Sequence, residues 1–274
     1  MAPSSASPWR GLSIPELQEA LKFQSADAPG DSQKRKIFVC IDCEAFELAQ
    51  EKVTEIGICV LDTADITEEN LDLTKADAID WSKILKSAHF VINEYKDLIN
   101  SKFVQGHPTK FSFGTSEALP LPQAAEMLER LFQDPTQVEN LLGTWIAPEG
   151  EPREVILVGH DLRADIDFLK HVKFDIRSAK NVIATADTHR INGKSSQTSV
   201  KRLLKTLQFD SVEDLEQQQW LHNAGNDAVW TMKALVAMAR VEMMNPGTLR
   251  PAIEKTRAAA RAVRRAEWRA KRAA

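Results

Sequence analysis

Four acids and one histidine in this chain carry the residue types and spacing that metal-assisted hydrolysis requires. Asp42 and Glu44 close the dense apolar run from 37 to 44 (IFVCIDCE). In an extended backbone both project from one side, while Ile41 and Cys43 point to the other. Two carboxylates at the end of a buried strand resist joint ionisation unless a cation neutralises them, which makes the pair a candidate divalent-cation site. Alone, such a D-x-E is more often two solvated acids at a strand end.

A second element is GHDLRADIDFL, residues 159 to 169, where the apolar run VILV (155–158) enters a Gly-His-Asp turn and then a helix. The carboxyl end of a strand is where α/β sheets place ligands. Asp161 stands where a helix N-cap is expected, whereas Asp165, one turn on among Ile166, Phe168 and Leu169, is the better functional candidate. Asp167 reads as a solvated helix residue. The third element is HNAGNDAVWT, residues 222 to 231, with His222 five positions before Asp227 at the start of the last long apolar stretch. An acid there can simply offset the helix dipole, and the histidine can be a cap or a surface residue. Taken together the three elements are far more specific, since each falls at the edge of a core element and together they supply four acids and a base.

The elements that must position these residues follow from periodicity. Residues 37–44 and 53–61 read as adjacent strands, with a third near 88–93. The pattern places a helix beyond Pro122 with Ala125, Leu128, Leu131 and Phe132 on one face. A buried strand at 155–158, a helix at 163–171, a strand at 182–186, a helix at 200–207 and a long helix at 224–243, stopped before Pro246-Gly247, complete a mixed α/β order. Apart from that third strand, the segment from 62 to 115 carries no period that assigns it. Three units are expected: a flexible arm over 1–35 with one short helix, where Ser13 and Glu16 have capping-box spacing before Leu17, Leu21 and Phe23; a catalytic domain over 36–245; and a basic helical tail over 246–274.

Composition narrows the setting. At 274 residues and 43% hydrophobic the chain can bury a sizeable core. No apolar stretch approaches the roughly 18 residues a membrane span needs, and the first residues lack the order of a secretory signal, so an intracellular protein is expected, in the nucleus, the cytoplasm or both. Cys40, Cys43 and Cys59 all lie in strand-like runs. Cys40 and Cys43 would face opposite sides, so their C-x-x-C is a poor zinc or redox motif. The net charge of -4 hides an asymmetry, because residues 250–274 hold nine Lys or Arg against two Glu. Such a block is an arm for nucleic acid, a nuclear import signal or a solvated helix.

The order Asp42-Cys43-Glu44, then Asp165 with Phe168-Leu169, then His222 to Asp227 resembles the DEDDh class of 3′-to-5′ exonucleases. The strings IDCE and LVGHDLRAD look like its RNA-processing members, TEIGICVLD resembles the second strand of the class, Asp187-Thr188 falls where the class commonly has that pair, and stretches such as HFVINEYKDLINSKF and KFSFGTSEAL resemble a fungal branch linked to messenger-RNA export. Asp161 stands where many members have Asn. The resemblance implies a ribonuclease H-like three-layer fold with a mixed five-stranded sheet flanked by helices. It also implies Mg²⁺ or Mn²⁺, two ions per site, held by Asp42, Glu44, Asp165 and Asp227, with His222 as general base. Two ions about 3.5 to 4 Å apart can stabilise both oxygens of a phosphodiester displacement. The expected partners are 3′ ends of single-stranded RNA or DNA, with Phe46 as a base-stacking or core residue, and a protein partner through the N-terminal helix or the basic tail. The residues leave RNA against DNA open, and also an export adaptor that keeps the nuclease fold as a scaffold.

Overall fold

The computed structural model describes residues 9–21, 36–66, 79–149, 151–191, 194–209 and 211–273. In chain order the elements are α1 (Ile14–Ala20), β1 (Ile37–Phe46), β2 (Ala49–Asp62), α2 (Trp81–Ile84), β3 (Leu85–Ile92), β4 (Ser116–Leu119), α3 (Ala124–Gln133), β5 (Val155–Gly159), α4 (Arg163–His171), β6 (Val182–Asp187), the hairpin β7 (Arg190–Ile191) and β8 (Lys194–Ser195), α5 (Val200–Thr206), α6 (Val212–Gln218), α7 (Ala224–Met244) and α8 (Leu249–Ala273).

One mixed sheet runs in the order β4-β3-β2-β1-β5-β6. The β1–β2 and β2–β3 pairs are antiparallel, and β3–β4, β1–β5 and β5–β6 are parallel. This is the ribonuclease H-like α/β fold with six strands rather than the expected five. The extra strand is β4, four residues ended by Pro120 and too short to show a period in the sequence.

β1 lies at the centre and is buried on both faces, which is why its first residues are apolar without alternation. Even-numbered Phe38 and Cys40 join the core under α7, while odd-numbered Ile37, Val39, Ile41 and Cys43 join the core under α3 and α4. Cys40 and Cys43 therefore face opposite layers, and all three cysteines are free and buried.

α7 is buried along most of its length because the sheet lies on one side and α1, α5 and α8 pack around it. α1 does not stand free. Its Glu16 carboxylate accepts from the Ser13 N–H (2.9 Å) and hydroxyl (2.7 Å), and Ile14, Leu17 and Leu21 sink into the α7 core. Just before it, Leu12 donates to the Thr185 carbonyl and Thr185 donates to that of Arg10, so the chain laces onto β6. The N-terminal helix, expected as one route to a protein partner, thus buries its apolar face inside the domain; Phe23 lies outside the described residues. Among the described residues no helix is long and apolar enough to cross a membrane.

Candidate active site

Past Cys40 the β1–β5 ladder ends, since Cys40 pairs with Val158 and β5 turns away at Gly159. The remaining β1 residues keep alternating, so Asp42 and Glu44 extend the Phe38–Cys40 row toward α7. Asp165 fills the place β5 has vacated: its Oδ1 accepts the Cys43 N–H at 3.0 Å, and the side chain is buried. Its neighbours on α4 face the core below, while Asp167 points to solvent and pairs with Lys170.

α7 delivers the third element. Asn223 caps it, accepting from the Asn226 N–H at 3.1 Å, and His222 just before it has a left-handed backbone (φ 68°). That turn aims the His222 N–H at Asp227 Oδ2, 2.9 Å away. Glu44, His222 and Asp227 offer ligand atoms that all lie within 4.8 Å of one another, with His222 Nδ1 3.8 Å from Glu44 Oε1.

The electrostatics are those of crowded acids. Burial first, and then the charges of Asp165, Asp227 and Glu44, push the Asp42 pKa well up. Burial likewise raises Asp165, against the Cys43 N–H that favours its charge, and lifts Asp227 to about 8 with the help of Glu44. The Glu44 carboxylate raises the His222 pKa, against partial desolvation and with aid from Asp227. An all-oxygen set of carboxylates that suppress one another's ionisation suits a hard divalent cation, so these residues fit Mg²⁺ or Mn²⁺.

The reading of one residue changes. Asp161 is not a side-chain cap: its backbone is left-handed (φ 63°), its side chain is exposed, and its N–H donates to Asp187 Oδ1 at 2.9 Å. Thr188 completes this tie by bonding His160 Nδ1 at 2.9 Å, so GHD and Asp187-Thr188 form one structural knot. Phe46 is half-buried at the β1–β2 bulge.

The supporting shell was invisible in the sequence. Asn226 donates to the carbonyls of Lys110 (2.8 Å) and Trp220 (3.0 Å) and accepts from Ser112 (2.8 Å). Asn223 donates to the His107 carbonyl at 3.0 Å, and the His107 N–H reaches the His222 carbonyl at 3.0 Å. Beneath them the buried Glu55 Oε2 lies 2.9 Å from His89 Nε2 and accepts from the Ala224 N–H at 3.2 Å. The Asn-rich string NAGND was the only local hint of these latches.

An acid-lined end of a central strand, faced by a helix carrying His and Asp, on a ribonuclease H-like sheet, defines an exonuclease-type domain. Residues 37–238 match the family described as DNA polymerase III subunit epsilon-like, C-terminal domain, and the chain belongs to this DEDDh exonuclease family. It is 28% identical over 228 residues to the uncharacterized protein YDR514C of Saccharomyces cerevisiae, covering 76% of this chain and 42% of that one. It is 27% identical over 218 residues to the Good for full DBP5 activity protein 2 of the same yeast, covering 73% and 35%. With the uncharacterized nucleolar protein C2C4.08 of Schizosaccharomyces pombe it shares 26% identity over 201 residues, covering 73% and 68%. The chain thus spans less than half the length of either budding-yeast relative.

Proposed function

We propose that this chain is a metal-dependent 3′-to-5′ exonuclease that removes nucleoside 5′-monophosphates from single strands, RNA before DNA. The observation that carries the reading is the convergence of Glu44, His222 and Asp227 within 4.8 Å beside Asp42 and Asp165, in a domain of this family. Asp42, Glu44, Asp165 and Asp227 would hold Mg²⁺ or Mn²⁺. When bound, the cations supply charge neutralisation for a phosphodiester under attack.

The chain's own groups do the rest. Asp165 is fixed by the Cys43 N–H and Asp227 by the His222 N–H, so both carboxylates are held without rotamer search. His222 Nδ1 faces Glu44, and the imidazole is exposed enough to meet solvent. It takes the proton of the attacking water, a role worth about 10²- to 10⁴-fold. Glu44 keeps the imidazole pKa up, and once that carboxylate is neutralised the imidazole favours its neutral, basic form.

RNA is preferred on the resemblance to RNA-processing members, and a nuclear location on the fission-yeast relative named nucleolar. A protein partner is a second reading, favoured by the relative named for DBP5 activity; here it would use the exposed basic face of α8. Purified protein with matched 5′-labelled RNA and DNA strands, with Mg²⁺, Mn²⁺ or chelator, tests the first reading. A ladder shortening from the 3′ end, abolished by chelator, is expected. Binding without cleavage of either strand would transfer the weight to the adaptor reading.

A further inference from the structure

The rim of the acid cluster is formed by residues 99–110, which no period in the sequence assigns. At one end the loop is clamped to β1, three residues past Glu44. Glu47 Oε1 accepts the N–H groups of Ser101 (3.2 Å) and Lys102 (2.7 Å), and Oε2 accepts that of Phe103 (2.8 Å). Asn100 adds a bond to the Ala45 carbonyl and one from the Glu47 N–H, each 2.8 Å, while Gly106 donates back to the Asn100 carbonyl. At the other end His107 is tied to His222 and Asn223. The loop thus spans from the β1 acids to the histidine, fixed on both sides.

On this fixed rim stand side chains that a folded chain ordinarily hides. Phe103 is 71% exposed and Leu48, beside the clamping Glu47, is 63% exposed. Lys102 Nζ sits 5.3 Å from the centroid of the Phe103 ring. Because the backbone is held by three converging N–H groups on one carboxylate, the ring's exposure is not slack in the loop. A largely exposed aromatic ring with a cation over one face matches what a single strand presents, a flat base on a charged phosphate.

We propose that Phe103, with Lys102, is a base-stacking platform for the strand whose 3′ end lies at Glu44, His222 and Asp227; this rests on the nuclease reading above. Stacking is indifferent to base identity, so the platform would grip any sequence and let it advance after each cleavage. A nucleic-acid strand is favoured over a protein ligand by continuity, since one end of the rim is bonded to Ala45 and Glu47, just past Glu44 on the same strand, and the other to His222.

Fluorescence anisotropy with Ca²⁺, which accepts the same oxygen ligands, measures binding of an intact single strand and of an abasic strand of equal length. Phe103→Ala is expected to weaken the intact strand by roughly 5- to 20-fold and to leave the abasic strand unchanged. Phe103→Trp is expected to keep the affinity and to show indole quenching on strand binding. Equal losses on both strands would reduce Phe103 to a support of the loop, and no loss on the intact strand would leave the rim to a protein; either overturns the platform. If the unsubstituted chain cleaves and Phe103→Ala binds normally, only the platform falls. If base-dependent loss appears without any cleavage in Mg²⁺ or Mn²⁺, the platform stands and the hydrolytic reading falls. If the unsubstituted chain binds neither strand, both fall.

Discussion

A Cβ at Gly57 would overlap the carbonyl of Ala224, so β2 and the first turn of α7 meet backbone to backbone. Gly57 is the register partner of Asp42 across the β1–β2 ladder. This contact sets how closely α7 can bring Asp227 to the β1 acids. Gly225 extends it, since a Cβ there would meet the ring of Phe111 and Cβ of His89 at 2.7 Å.

Gly57→Ala should therefore lift the start of α7 off the sheet. Overpacking of this kind costs about 1–3 kcal/mol, and a displacement near 1 Å at the reacting groups can cost about 10²-fold in rate. Thermal unfolding and single-turnover cleavage measure the two effects. A variant with unaltered stability and rate would show that the approach is not what positions Asp227.

Asp42→Asn and Asp227→Asn are expected to abolish metal-dependent cleavage with the fold retained, because each removes a carboxylate from a shared cluster. His222→Ala should fold normally and cleave about 10²- to 10⁴-fold more slowly. Circular dichroism checks the fold and a 3′-end ladder checks the rate. Normal cleavage by either Asn variant would remove these acids from the site.

Without cations, stability should fall as pH rises. Asp42, Asp165 and Asp227 have raised folded pKa values, Asp227 to about 8, whereas the unfolded carboxyls titrate near 3.9. Between these limits the folded state holds protons that the unfolded chain has lost, so each pH increment favours unfolding. The stabilisation is full below the unfolded value and is lost through the folded one. Added Mg²⁺ or Mn²⁺ should raise the melting temperature most at the alkaline end, where cations no longer compete with protons. Melting curves with chelator and with metal across this range test both trends; a pH-independent metal-free protein would contradict the cluster's electrostatics.

α8 should be cut after Arg257, not at its start. Leu249 and Ile253 belong to the α7 core, Thr256 bonds Thr206 at 3.1 Å, and Arg257 reaches Ser196 and Gln197. From Arg261 to Arg272 every side chain is exposed, six of them Lys or Arg. Removing 258–274 should weaken strand binding and flatten its salt dependence by about 0.7 in log–log slope per lost phosphate contact. The single-turnover rate at saturating strand should not change. Anisotropy titrations over a salt series decide it, and an unchanged slope would assign the helix to another partner.

What the sequence determined by itself is whatever repeats locally. Alternation along β1 put Asp42 and Glu44 on one face, and helical spacing bounded α4 at Arg163–His171 and placed Asp165 in its first turn. Those are properties of two to four successive residues, set by pleat and helix geometry wherever the strand ends up. The tertiary structure decided what depends on distant backbone. β4 is a strand only because β3 offers it a parallel edge. α1 packs inward because α7 presents an apolar face, and Asp161 turns left-handed because Asp187 accepts its N–H. Asn223 and Asn226 latch a loop 116 residues away through carbonyls and amides that every residue possesses. Such bonds leave no side-chain period to read, so the acids were legible in the chain and the rim that surrounds them was not.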